Sequence, residues 1–308
     1  MIVAEFRLRG AGGEPISFER TLHSHGLAAL APAQIVPASG DAGLSYRRNL
    51  RTSGRVVRAT LRERSGWLVV ETREKIGKRA AADVGAAARR MFRLDDDLAP
   101  FYRGIAGDPR LAWAATGAGR ILASPTVFED VVKTICTTNC AWSGTVRMTR
   151  ALAELGGGAF PDAATIAGAP AAWFRETARM GYRGPYVAEI ARAVRRGSLD
   201  LEALLPTSGK SDVEVEELLL DLPGVGPYAA AHVMMLLGRN RRLVLDSWTR
   251  PTYLRLAKKR RARDSSIERA FSAHGAYAGL AFWLFLTREW LEDGADAPPS
   301  LQMEQGHA

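Results

Sequence analysis

Cysteine is nearly absent from this chain, with two in 308 residues, Cys136 and Cys140, four apart on a predicted helix. That excludes a disulfide framework and any cluster held by four thiolates, and it leaves reduced core thiols as the expectation. Histidine is sparse as well, and His23, His25, His232 and His274 lack metal-ligand spacing, so no metal catalysis is expected. The longest apolar run, residues 276–286, is too short to cross a bilayer, and the opening MIVAEFRLRG has no signal-peptide apolar block. A cytoplasmic protein without a membrane role is expected. Internal repeats and low-complexity blocks are missing too.

What is present is a basic, core-forming chain. Apolar residues make up 47% and charged residues 24%, enough for a buried core and roughly two domains of ordinary size. The net charge of +9 favours an anionic partner, and its distribution sharpens the point. From Arg239 to Arg263 ten Arg or Lys face a single acid, Asp246. One carboxylate therefore sits in a basic stretch, whose KKRRAR run at residues 258–263 is either a backbone-tracking segment or a solvated face.

The first ninety residues alternate as half-buried strands do, in IVAEFRL, SYRRNL, RVVRATLRE and WLVVETRE, which predicts an antiparallel sheet. From about Arg79 helical spacing takes over, placing a boundary near residues 75–95. The fold class expected is α+β, with a β domain over residues 1–90, a two-lobed helical core over 91–295 and a disordered tail over 296–308. The clearest helix is SPTVFEDVVKTICTTN, with Ser124 as cap, Pro125 in the first turn, and Phe128, Val131, Val132 and Ile135 on one face.

The most informative segment is EELLLDLPGVGPYAAAHVMMLL, two helical stretches joined by Leu222, Pro223, Gly224, Val225 and Gly226. The glycines permit a tight turn and leave the amides at the next helix start uncovered, where an anion is favoured. A nucleic-acid phosphate suits such a site, and backbone contacts would bind it regardless of sequence. A plain helix-turn-helix connector is the alternative. Asp246 follows in LVLDSWTR, eighteen residues after Tyr228, and as a residue preceding a helix it also suits a cap.

The hairpin and this carboxylate together resemble the helix-hairpin-helix DNA glycosylase superfamily, which includes endonuclease III, 3-methyladenine glycosylase II and 8-oxoguanine glycosylase. FRLDDDLAPFY, ICTTNCAW at residues 135–142, MGYRGPYVAEIARAV at 180–194 and GAYAGLAFWLF at 275–285 are similar to the 8-oxoguanine and 3-methyladenine branches, so the resemblance spans about residues 90–290. It implies a repair enzyme acting on damaged duplex DNA as a monomer, nucleoid-associated in a bacterium. The cleft would lie between the hairpin and the helix carrying Asn139. Asp246 would be the catalytic carboxylate, and Leu222, Gly224, Val225, Gly226 and Asn139 would contact DNA. Asn139 matches an asparagine that fills the gap left by an extruded nucleotide; a helix C-cap is its plain reading.

Departures from the family narrow the expectation. Bifunctional members carry a lysine at the position of Tyr228, and a phenol forms no Schiff base, so a monofunctional enzyme is expected. Lys133 and Lys210 are other amines, both expected to be solvated. No cysteine follows Cys140, which excludes the iron-sulfur cluster of the endonuclease III branch. Hairpins of this family often hold a sodium or potassium ion through carbonyls. Phe282 stands where 8-oxoguanine glycosylases have a base-reading glutamine, and with Tyr228, Trp248, Leu286 and Trp142 it is a candidate stacking wall favouring alkylated purines; core packing is the alternative for each. A bifunctional glycosylase/lyase and a non-catalytic DNA-binding hairpin protein remain the rival readings.

Overall fold

The computed structural model describes residues 1–39 and 43–292; the expected tail over 296–308 lies outside the described residues. Five strands, β1 (Ile2–Arg7), β2 (Ala33–Val36), β3 (Ser45–Thr52), β4 (Arg55–Arg64) and β5 (Trp67–Thr72), form one antiparallel sheet in the order β1-β5-β4-β3-β2. A short helix α1 (Phe18–Leu22) precedes β2, and α2 (Lys78–Met91) follows β5. The remaining helices are α3 (Ala99–Ile105), α4 (Val127–Thr137), α5 (Trp142–Leu155), α6 (Ala163–Gly168), α7 (Arg183–Arg195), α8 (Asp212–Leu220), α9 (Pro227–Leu237), α10 (Thr249–Leu256), α11 (Asp264–Phe271) and α12 (Ala278–Leu291). No described helix is long and apolar enough to cross a membrane.

The period of two along β3 and β4 sends alternate side chains inward. Tyr46, Arg48 and Leu50 pair across the sheet with Leu61, Ala59 and Val57, and all six are buried. Val84, Ala88 and Met91 of α2 close over this face, so the first helix after the sheet shares the sheet's core. Phe92 stacks on Phe18 at 5.5 Å, tying α1 to the same layer.

One inward position is an arginine. Arg48 reaches Glu129 of α4, and Lys133, one turn further along α4, lies 2.7 Å from the same carboxylate and donates to the Leu30 carbonyl at 3.2 Å. The expectation of a solvated Lys133 is corrected: it is 1% exposed, because the sheet covers α4. Lys210 is partly exposed on the loop before α8.

Two apolar cores fill the helical part. One is built from α4 to α8, the other from α3 and α10 to α12. Helix α9 serves both: Ala230, Val233, Met234 and Leu237 face the first core, Ala231, Met235 and Leu236 the second. A helix apolar all round is buried all round, and this one becomes the central wall between the lobes.

Candidate active site

The site is assembled on the two ends of α9 and α10. Helix α8 begins with a capping box in which Ser211 and Glu214 satisfy each other's amides. After α8 the turn anchors itself through Leu222 and Val225, whose side chains are buried in the first core. Gly224 has φ +81°, and a Cβ there would meet the Tyr186 ring at 2.5 Å, so both the backbone and the neighbour require glycine. Gly226 is different: a Cβ would meet nothing within 4 Å, and both it and Pro227 are exposed. Among the described residues the amides of Gly224, Gly226 and Tyr228 donate to no protein acceptor. Their approach side is open, as anion binding at a helix start needs.

Asp246 caps α10. Its Oδ1 accepts the Trp248 and Thr249 amides at 2.8 and 2.6 Å, and the Thr249 hydroxyl accepts the Asp246 amide at 2.8 Å. The reciprocal pair locks the carboxylate, and no described hydrogen bond reaches Oδ2. The side chain stays partly exposed. The Tyr228 hydroxyl is pushed up to about 12, first by burial and then by the Asp246 charge, against a 3.3 Å contact with the Thr137 hydroxyl. The Asp246 charge is therefore felt at the first turn of the hairpin's second helix.

Of the expected wall, Tyr228 and Trp248 are partly open at the site. Trp248 stacks on Trp290 at 5.5 Å and meets Trp283 edge-on at 5.7 Å. Trp142 opens α5 and packs at the margin of the second core, its Nε1 donor buried without a partner. Phe282 is corrected to a core residue. Its ring has no exposed surface and packs on Tyr253 and Phe271, because adjacent helical positions diverge by about 100° and the neighbour, Trp283, takes the side facing Trp248. Leu286 is corrected too: it is buried in the same core.

At the far side of the site α4 ends in a left-handed turn. Asn139 has φ +44° and is exposed, and its amide donates to the Tyr182 hydroxyl at 3.3 Å. Tyr182 was not singled out by sequence reasoning; it is 49% exposed, sits against Arg183, and Arg183 ties back to the Thr138 carbonyl. The turn separates the two cysteines: Cys136 is buried on α4, while Cys140 is exposed beyond its end rather than on the same helix. The cap of α4 is Thr126, whose hydroxyl accepts the Glu129 amide at 3.2 Å; Ser124 instead donates its amide to Asp130.

Among the described residues no group of three or more His, Cys, Asp or Glu is placed to hold a metal ion.

No protein-family model and no curated protein matches the sequence. Solved structures match the fold along most of its length. The 3-methyladenine DNA glycosylase from Archaeoglobus fulgidus has a TM-score of 0.70 and 20% identity, covering 93% of this chain and 99% of its own. The apo form of the Clostridium acetobutylicum 8-oxoguanine glycosylase/lyase gives 0.66 and 18%, covering 89% and 94%. MBOgg1, solved with a low-affinity DNA ligand, gives 0.68 and 21%, covering 89% and 92%. The chain thus shares the α+β fold of 3-methyladenine and 8-oxoguanine DNA glycosylases.

Proposed function

We propose that this protein is a monofunctional DNA N-glycosylase that excises a damaged base, an alkylated purine by preference, from duplex DNA. The observation that carries the reading is the placement of Asp246, locked by two amides at the head of α10 and close enough to raise the Tyr228 pKa at the start of α9. When an N-glycosidic bond breaks, positive charge develops on the sugar, and a carboxylate preorganised beside it is stronger in the transition state than in the ground state. The uncovered amides of Gly224, Gly226 and Tyr228 would hold a nearby phosphate. Asn139 and Tyr182, exposed together and hydrogen-bonded to each other, would occupy the gap left by the flipped nucleotide. Similarity of fold to DNA glycosylases supports the assignment.

Tyr228 in the place of an amine supports hydrolysis without strand cleavage. Lys133, buried in its ion cluster, is not free to attack a sugar. The test is a panel of duplexes bearing alkylated purines, hypoxanthine, 8-oxoguanine, uracil and thymine mismatches, scored for free base and for strand breaks. The expected result is base release with breaks only after hot alkali. Release from none of them would refute the proposal, and a borohydride-trapped protein–DNA adduct would replace it with a glycosylase/lyase.

A further inference from the structure

Two histidines meet behind Tyr228. His232 follows it by one turn on α9, so both side chains leave the same face, with ring centroids 5.8 Å apart. The His232 ring is 6.3 Å from Trp283 and 6.1 Å from His25, which arrives from the segment before β2. Both nitrogens of His232 and Nδ1 of His25 are buried without a partner. Leaving such groups unpaired is costly. The neighbours of His232 along α9 are alanine, valine, methionine and leucine, so an apolar residue would suit the packing better.

The two rings differ in freedom. His25 Nε2 lies 2.7 Å from the Leu122 carbonyl and so carries the hydrogen, which leaves Nδ1 of the neutral ring as a bare acceptor. Its position is fixed by the adjacent Ser24, whose carbonyl accepts Trp283 Nε1 at 2.8 Å and whose hydroxyl accepts the Leu122 amide at 3.0 Å. Among the described residues His232 is held by no hydrogen bond, so it can present a donor or an acceptor. Burial pushes His25 down to about 4 and His232 to about 3, so both are neutral at physiological pH.

Resting on the glycosylase reading, we infer that His232 and His25 form the polar end of the base pocket and select a purine carrying an exocyclic amino group. Trp248 and Tyr228, both partly exposed, meet the faces of the ring, with Trp283 packed edge-on behind Trp248. His25 Nδ1 accepts an amino N–H, and His232 donates to the adjoining ring nitrogen. From Tyr228, which feels the Asp246 charge, the rings run on to His232 and His25 at centroid spacings of 5.8 and 6.1 Å, and a two-ring base extends further along this line than a pyrimidine.

The test uses the whole protein and free bases, read by quenching of tryptophan fluorescence. Adenine should bind roughly tenfold more tightly than unsubstituted purine, the equivalent of about 1.4 kcal/mol, and more tightly than cytosine. His232→Phe and His25→Phe should each abolish that preference. His232→Asn, which keeps a donor and an acceptor, should retain part of it and serves if the phenylalanine variants do not fold. Equal binding of adenine and purine by the wild type, or an unchanged preference in the folded variants, overturns the inference. The duplex panel separates the two claims: base excision with no histidine-dependent preference sinks the pocket assignment alone, whereas the preference without excision sinks the glycosylase reading alone.

Discussion

At the scale of single residues, the double duty of Asp246 makes its role testable without unfolding the protein. Asparagine caps helices as well as aspartate does, so Asp246→Asn should keep the Trp248 and Thr249 amides satisfied while removing the charge. Base release should fall at least ~100-fold, as for loss of one preorganised group, with the thermal midpoint close to wild type. A variant as active as wild type would remove Asp246 from the mechanism. The buried histidines have a separate signature in stability. Their folded pKa values, about 4 and about 3, lie below the ordinary 6.5, so between roughly pH 4 and 6.5 the unfolded chain binds more protons than the folded one. Stability should therefore fall as pH drops below about 6.5, by up to ~1.4 kcal/mol per pH unit for each ring. Urea melts across this range should show the slope, and His232→Phe should flatten it; an unaltered slope would mean that other groups carry the acid sensitivity.

At the scale of elements, two junctions matter. The first joins β3 to α4 through Arg48, Glu129 and Lys133, all buried. Burial alone would raise the Glu129 carboxyl, but the two cations prevail and hold it below the ordinary carboxylate range. Glu129→Gln would strand both cations away from water, and denaturant melts should show a loss of roughly 3–5 kcal/mol. A neutral outcome would mean water enters the junction. The second is the hairpin between α8 and α9, where the two glycines should behave differently. Gly224→Ala collides with Tyr186 and strains a positive φ, so folding stability should drop. Gly226→Ala meets open space and should leave the melt unchanged while weakening duplex binding roughly tenfold, about 1.4 kcal/mol, by covering the amides. Equal binding by Gly226→Ala would place the phosphate elsewhere.

At the scale of the whole molecule, the net charge of +9 is not spread as the sequence of the basic stretch suggests. Arg239, Arg242, Arg250 and Arg255 are paired with Asp212, Glu216, Asp264 and Glu289. The other six cations of that stretch, Arg241, Lys258, Lys259, Arg260, Arg261 and Arg263, are exposed, five of them next to the helix that Asp246 caps. Duplex affinity should fall linearly on a logarithmic salt scale, and each of these cations that meets a phosphate should contribute about 0.9 to the slope. Replacing Lys258, Arg260 and Arg261 together by alanine measures that share; an unchanged slope would make the run a solvated face.

Local chemistry was legible in the sequence. Alternation marked four of the strands, the short β2 being too brief to register, and glycine spacing marked the hairpin. Asp246 could be placed before a helix because capping involves residues two or three apart. What the sequence did not contain was the phase of its apolar helices. Along α9 and α12 nearly every position is apolar, so hydropathy says that they are buried but not which side meets which neighbour. Phe282, placed by its match to the family's glutamine, thus turns into the core, and the spacing of Tyr228 and His232 carries no message until a wall stands opposite them. The burial of Lys133 is illegible in the sequence for a related reason: it depends on Arg48 and Leu30, contributed by chain about a hundred residues away. The sequence by itself determined the elements, the phosphate-competent turn and the capped carboxylate, because these rest on short-range sterics and hydrogen bonds. Only the tertiary structure decided which aromatic and imidazole rings pack together behind Tyr228, because His25, His232, Trp248 and Trp283 come together solely through long-range packing of separate elements.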